Sequence, residues 1–280
     1  MKTRLFTGLA LLPVVIILVW AGGWFLFAGV VVVILLAIRE FIHMMRVKGH
    51  QPSLWLATLF ALIPLIHVRF PTWDILTPAL TLSMMLALIW QLFAPTRSSM
   101  STPPLKSPTF TGGTWGGSAI DWALSLAGGM YIGFALSHLI LLRSLQGGYT
   151  WVWLAFFCTW SADTFAYLGG RIFGKRKFWV RHSPNKTWEG IFAGVFGGMF
   201  GGIVIMLIFP TIPLKHALII GILASVVAPL GDLSISMMKR YTGVKDTSNL
   251  IPGHGGVLDR IDSLLFVLIT VFYYVAWVVL

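Results

Sequence analysis

Long apolar runs, separated mostly by short polar segments, dominate the chain. A transmembrane helix needs about 20 predominantly apolar residues. Nine runs approach this length, and they lie at residues 5–20, 23–44, 54–70, 74–94, 119–142, 150–170, 188–209, 214–238 and 261–280. The pattern predicts an all-α polytopic membrane protein with about nine transmembrane helices.

Composition supports a lipid environment. The chain is 57% hydrophobic and 10% charged, whereas ordinary soluble domains are about 25% charged. The net charge is +11, but a nucleic-acid-binding protein would not distribute its basic residues between apolar runs. We therefore expect no nucleic-acid partner, and we expect the basic residues to set membrane orientation and to bind phosphate.

The distribution of basic residues predicts the orientation, because cytoplasmic loops carry an excess of Lys and Arg. If the N-terminus is inside, all 20 Lys and Arg residues fall on the cytoplasmic side except Arg69, Arg143 and Lys215. This bias favours an N-in, C-out topology. It also places two polar loops, 171–187 and 239–260, in the cytoplasm.

The chain divides into two regions. Residues 1–118 contain N-terminal membrane helices and a connector, 95–118, that is rich in Ser, Thr, Pro and Gly and is expected to be flexible. Residues 119–280 form a membrane region with the two charged cytoplasmic loops, and we expect it to be catalytic.

Charged residues concentrate near the C-terminus. Asp232, Ser236 and Lys239 have i, i+4, i+7 spacing and share one helical face. An acid at the end of a membrane helix is costly unless it is paired or binds a metal. Two interpretations remain open here: a structural Asp232–Lys239 pair, or a site for a cation and phosphate.

The segment that follows is suited to anion binding. Lys239, Arg240 and Lys245 are either a phosphate-binding cluster or an anchor at the inner membrane surface. The turn 252–256, Pro-Gly-His-Gly-Gly, offers backbone N–H groups to phosphate oxygens.

Two acids begin the last helix. Asp262 fits a helix-capping role, because acids are favourable at helix N-termini. Asp259 fits that role less well, since Asp232 lies at the same membrane depth in the preceding span. Asp232 and Asp259 are therefore expected to bridge a cation.

A second constellation lies between spans six and seven. Asp163, Tyr167 and Gly170 share a helical face. Ser183-Pro184 and Thr187 are expected to begin the next helix, with Glu189 in its first turn. Lys186 and the neighbouring hydroxyl groups are candidates for phosphate binding, and a basic loop followed by a helix cap is the alternative.

Five histidines have no partner that the sequence identifies. We expect them to be interface or core residues: His43, His50, His67, His138 and His216.

Residues 236–262 match the pattern S-x-x-K-R, K-D and P-x-H-G-G-x-x-D-R-x-D. This stretch resembles the signature of phosphatidate cytidylyltransferases, also called CDP-diacylglycerol synthases. Upstream, D-x-x-A-Y-x-x-G-R-x-F-G-K begins at Asp163 and S-P-x-K-T-x-E-G begins at Ser183, and both resemble further elements of that family.

The resemblance implies an Mg²⁺-dependent, homodimeric membrane enzyme that makes CDP-diacylglycerol and pyrophosphate from CTP and phosphatidate. The implied catalytic residues are Asp232, Lys239, His254 and Asp259. The implied substrate-binding residues are Ser183, Lys186, Thr187, Ser236, Arg240, Lys245, Asp246, Gly255, Gly256 and Arg260. The implied metal ligands are Asp232 and Asp259, with Asp163, Asp246 and Asp262 as further candidates and room for a second cation.

The chemistry is consistent with these residues. A phosphate monoester with a second pKa of about 6 is largely dianionic at neutral pH and attacks without a strong base. The protein must then align two anions and neutralise their charge. The expected location is a bacterial plasma membrane, with the site facing the cytoplasm.

Two rival functions remain at this point. One is another lipid-phosphate transferase, although the D-G-x-x-A-R pattern of CDP-alcohol transferases is not found. The other is a transporter for a phosphorylated solute or a cation, since acids in membrane spans also suit that role.

The orientation is testable with reporter fusions. A periplasm-active reporter fused after Leu280 is expected to be active, and the same reporter inserted within 171–187 is expected to be inactive, because the basic residues hold that loop inside. The opposite pattern would overturn the N-in, C-out assignment.

Overall fold

A computed structural model describes residues 2–93, 119–179, 183–253 and 255–280. Nine α-helices lie in this part of the chain: α1 Lys2–Ala21, α2 Gly23–Val47, α3 Leu54–Arg69, α4 Leu76–Phe93, α5 Ala119–Ser144, α6 Gly148–Phe173, α7 Trp188–Ile208, α8 Leu214–Thr242 and α9 Leu258–Tyr274. A 3₁₀ turn, Pro71–Trp73, precedes α4, and a π-helical turn, Val275–Val279, follows α9. Each predicted apolar run corresponds to one helix, so the helical fold class is confirmed. The connector 95–118 lies outside the described residues.

Five of the described helices are long and apolar enough to cross a membrane. Their ranges are Gly23–Val47, Ala119–Ser144, Trp188–Ile208, Leu214–Thr242 and Leu258–Val279. Three other apolar segments are shorter: Leu11–Ala21, Leu54–Arg69 and Leu76–Ile89. These lengths establish a multi-pass membrane protein, while the count of nine spans and the orientation stay predictions.

The helices bury one face and leave another apolar face exposed, as lipid requires. On α2, Leu26, Val30 and Ile34 recur every fourth residue and are buried in the core. On the same helix, Phe25 and Val32 are exposed. An exposed apolar side chain on a membrane helix contacts lipid. One face of α2 therefore packs in the protein core and the other contacts lipid.

Helices α6, α7, α8 and α9 pack against one another in chain order, and α5 packs on α9 and on α3. The α7–α8 contact is close because Gly198 faces Gly221, where a methyl group on either residue would overlap the backbone of the other helix. Small residues permit such approach in membrane helices. This packing holds α6, α7 and α8 together.

Two of the predicted boundaries are corrected by the structure. Residues 171–187 contain an antiparallel hairpin of β1, Lys177–Trp179, and β2, Ser183–Thr187. Ser183-Pro184 therefore belongs to a strand and does not begin a helix. In addition, α8 continues to Thr242, so Lys239 and Arg240 lie on its last turn.

Candidate active site

Two ion pairs define the site. Lys186 Nζ lies 2.6 Å from Asp232 Oδ2, and Lys239 Nζ lies 2.6 Å from Asp259 Oδ1. Each pair joins two elements, because Lys186 comes from β2, Asp232 and Lys239 from α8, and Asp259 from α9. The proposed structural pair of Asp232 with Lys239 is therefore replaced by two different pairs.

Asp259 organises the loop between α8 and α9. Its Oδ2 accepts hydrogen bonds from Thr247 N at 2.8 Å, Thr247 Oγ1 at 2.9 Å and Gly256 N at 3.0 Å. With Lys239 on Oδ1, both carboxylate oxygens are engaged. Asp259 lies in the first turn of α9, where a negative charge is favourable.

Asp262 lies one turn further into α9 and is only 8% exposed. Its side chain accepts from Ser263 N at 2.7 Å and interacts with the carboxyl group of Asp232. Two carboxyl groups in contact need a proton or a cation to offset their repulsion. The expectation that Asp262 caps α9 is wrong, because α9 begins four residues earlier and the side chain meets α8.

Gly231 makes the Asp232–Asp262 contact possible. A methyl group at Gly231 would overlap the backbone oxygen of Asp262, so only glycine lets α9 approach α8 this closely. On the opposite side of Asp232, Ser236 Oγ donates to Oδ1 at 3.3 Å. The predicted shared face of Asp232 and Ser236 is thereby confirmed.

A cavity of about 450 Å³ opens beside Asp232. The residues that line it come from α6, β2, α7 and α8, and they are Asp163, Ala166, Tyr167, Gly170, Arg171, Asn185, Lys186, Thr187, Gly190, Ile191, Pro229 and Asp232. Asp163 interacts electrostatically with both Lys186 and Asp232. The structure therefore brings the upstream constellation and Asp232 of α8 to one place.

Lys239, on the last turn of α8, connects α8 to α9. It is bonded to Asp259, and it also interacts electrostatically with Asp232 and Asp262. These three acids and one ammonium group lie in a partly buried region where charge interactions are stronger than in water. Binding of an anion here would be sensitive to the position of Lys239.

The hairpin positions Lys186 from the other side. Thr187 caps α7 by accepting a hydrogen bond from Gly190 N at 3.2 Å. Glu189, in the first turn of α7, accepts from Lys175 N at 3.1 Å and Arg176 N at 3.2 Å. The predicted cap and first-turn acid are both confirmed. The hydrogen bonds of Thr187 and Glu189 fix the hairpin on the N-terminus of α7. Lys186 also donates to Pro229 O of α8 at 3.2 Å.

The carboxylates fit a hard cation by their chemistry. Mg²⁺ prefers oxygen ligands, and Asp163, Asp232 and Asp262 supply them in one neighbourhood. Among the described residues, however, no group of three or more His, Cys, Asp or Glu side chains is arranged to hold a metal. The predicted pairing of Asp232 with Asp259 at a metal stays a prediction, and in the structure the carboxyl group in contact with Asp232 is that of Asp262.

The other predicted residues that the structure describes lie on β2, on α8, on α9 and in the loop between α8 and α9. Arg240, Lys245 and Asp246 are exposed, and Ser183 is partly exposed at the start of β2. Arg260 is exposed and lines an apolar cavity beside Ile251 and Leu264. Gly255 has a φ of 81°, which favours glycine. His254 lies outside the described residues.

Sequence reasoning missed Glu40. This residue of α2 is 4% exposed, and its carboxylate accepts four hydrogen bonds. The donors are Ser248 Oγ at 2.6 Å, Val257 N at 2.9 Å, Leu258 N at 2.8 Å and Thr247 Oγ1 at 3.0 Å. The Thr247 hydroxyl shares its one proton between Glu40 and Asp259. Glu40 therefore holds both ends of the loop and the N-terminus of α9. The signal was present, because a lone acid in an apolar run marks a candidate functional residue.

Gly256 is required where Glu40 meets the loop. A methyl group at this position would overlap Thr247 Oγ1 and Glu40 Oε2. Gly256, which the sequence assigned to a phosphate-binding turn, thus permits the close contact between α2 and the loop.

The fold and the site define a multi-pass helical membrane protein with a cavity, lined by Asp163, Asp232 and Lys186, that is suited to phosphate chemistry. A sequence profile of the Cytidylyltransferase family matches residues 2–278. The chain therefore belongs to that family.

Several curated proteins are similar to the chain, and each is named phosphatidate cytidylyltransferase. The protein from Staphylococcus saprophyticus is 32% identical over 96% of both chains. The protein from Pseudomonas aeruginosa is 33% identical over 94% of this chain and 93% of its own. The protein from Bacillus subtilis is 40% identical over 52% of this chain and 55% of its own.

Glu40→Gln is expected to weaken the loop. An amide nitrogen in place of one oxygen leaves at least one buried donor without an acceptor, which costs about 1–3 kcal/mol. Turnover and thermal stability of the purified protein should both fall. The control is Asp74→Asn, an exposed acid at a φ of 43° that Asn tolerates. Equal losses of turnover and thermal stability in the two variants would contradict the proposed role of Glu40 in holding the loop.

Asp232→Asn and Asp262→Asn are each expected to lower turnover by about 10²–10³, because the two carboxyl groups act as one charge site. The double variant should be little worse than either single one. Steady-state pyrophosphate release checks this, with Asp74→Asn as the control. Independent, multiplicative losses would contradict the shared site.

Proposed function

We propose that the chain is a phosphatidate cytidylyltransferase, which transfers CMP from CTP to phosphatidate and releases pyrophosphate. The observation that carries this proposal is the convergence of Lys186 and Asp163 with Asp232 at one cavity, in a chain that matches its family from residue 2 to 278. The names of the curated relatives support the same reaction.

The residues of the chain act mainly on charge and alignment. The phosphate of phosphatidate attacks the α-phosphorus of CTP, and pyrophosphate leaves with the displaced P–O electron pair. Lys186 and Lys239 are placed to offset the repulsion between the two anions and the charge that develops on the leaving group. Each lysine must exchange part of its contact with Asp232 or Asp259 for a phosphate oxygen.

The proposed cofactor is Mg²⁺, which Asp232 and Asp262 would hold. When bound, it would neutralise phosphate charge and polarise phosphoryl oxygens. The carboxyl contact between Asp232 and Asp262 supports this choice, because a cation removes their repulsion. Asp259 would join the ligand set only by releasing Lys239, and Asp246 lies exposed in the adjacent loop.

The proposed setting is the inner membrane of a bacterium, with nine spans, the N-terminus inside and the site facing the cytoplasm. This orientation gives CTP direct access to the charged loops. It also lets phosphatidate reach the cavity from the inner leaflet. We propose that the enzyme is a homodimer, as the family resemblance implies.

The test is pyrophosphate release by the purified protein in vesicles. Release is expected with CTP plus phosphatidate and Mg²⁺, and it should fall to background without the lipid, with ATP in place of CTP, or in excess EDTA. Lys186→Ala should lower the rate by about 10²–10³. Equal rates with ATP, or release without phosphatidate, would contradict the proposal.

A further inference from the structure

A second cavity lies at the C-terminal end of α2. Arg39, His43 and Arg46 have i, i+4, i+7 spacing, and all three are exposed on one face of the helix. The cavity measures about 460 Å³ and is lined by Leu36, Arg39, Glu40, Ile42, His43, Arg46, Leu54, Ser248 and Leu250. None of these residues lines the cavity beside Asp232.

The basic face keeps its charge available. Glu40 is the one acid in the lining, but its carboxylate is engaged by four donors from the loop and from α9. Within the described chain, Arg39 and His43 make no hydrogen bond or ion pair, and Arg46 donates only to Pro52 O at 3.3 Å. The lining therefore carries two guanidinium groups and an imidazole against one carboxylate, which is already hydrogen-bonded to the loop and to α9.

The rest of the lining is apolar. Leu36 lies one turn before Arg39 toward the membrane interior, and Leu54 and Leu250 complete the wall. A free phosphate ion would contact the basic residues and leave these leucines unused. A phosphate joined to acyl chains would contact both groups, because its charged part reaches the arginines while its chains follow the leucines.

The cavity lies at the same end of the molecule as the signature loop. His50, just beyond α2, is hydrogen-bonded to Tyr241 Oη at 2.7 Å on the last turn of α8. Lys48 Nζ lies 5.2 Å from the centre of the same ring. Basic residues at such a membrane boundary attract anionic headgroups.

We propose that this cavity binds the phosphate group of an anionic membrane phospholipid. The guanidinium groups of Arg39 and Arg46 and the ring of His43 donate to the phosphate oxygens. Ser248 lines the cavity and donates to Glu40 at 2.6 Å, so an occupied cavity contacts the loop that carries the signature residues. Binding here requires neither CTP nor turnover, so it is independent of the proposed reaction.

The test is lipid binding to the delipidated full-length protein in detergent, measured by native mass spectrometry. Dioleoyl phosphatidylglycerol is the probe, and phosphatidylcholine is the zwitterionic comparison. Arg39→Gln with Arg46→Gln is expected to lower affinity for phosphatidylglycerol about tenfold or more, because charge-assisted hydrogen bonds are lost. Affinity for phosphatidylcholine should not change.

The matched control is Lys48→Gln, which removes one positive charge from the same end of α2 without touching the cavity lining. It should change affinity by less than about twofold, since exposed charges contribute little on their own. If the double variant does not fold, Arg39→Gln and His43→Gln are tested singly, and each should weaken binding.

Four results would overturn the proposal. The double variant could bind phosphatidylglycerol as tightly as the unaltered protein. Lys48→Gln could weaken binding equally, which would mean a diffuse charge effect. Millimolar inorganic phosphate could displace the lipid completely, which would mean an anion site without lipid specificity. Loss of binding in Lys186→Gln alone would place the lipid in the other cavity and would also contradict it.

Discussion

The position of the signature loop depends on one buried carboxylate. Glu40 lies on a membrane helix, where an unsatisfied charge is very costly. Its four hydrogen bonds all come from residues 247–258, so the loop is held because it satisfies the charge. Asp259 binds the same loop from the other side through Thr247 and Gly256. Between these two acids, the loop has little freedom to move away from α2 and α9.

The candidate site follows from that arrangement. Once α9 is fixed at its N-terminus, Gly231 lets Asp262 approach α8 and contact Asp232. Lys186 reaches Asp232 from the hairpin, which is held in turn by Glu189 and Thr187. Glu40, Asp232, Asp259 and Asp262 thus each bind a lysine, the loop or one another. Clusters of interacting, partly buried charges of this kind are candidate functional sites.

Much of the fold followed from local patterns in the sequence. Apolar runs located the helices, and helical spacing correctly put Asp232 and Ser236 on one face. The same spacing does not determine which element lies opposite. The pairing of Asp232 with Lys186, and of Lys239 with Asp259, was therefore not predicted. The contact of Glu40 with Ser248 joins residues 208 positions apart, and only the packed structure reveals it. The hairpin was missed because its strands span only three and five residues.

Transfer of CMP is the central claim, and the fate of labelled CTP tests it most directly. Purified protein in vesicles containing phosphatidate would be supplied with CTP labelled in either the α- or the γ-phosphate, and the lipid would then be extracted. We expect the α-label to appear in the lipid fraction and the γ-label to appear only in pyrophosphate. Appearance of the γ-label in the lipid would indicate a kinase reaction. Absence of both labels from the lipid would contradict nucleotidyl transfer.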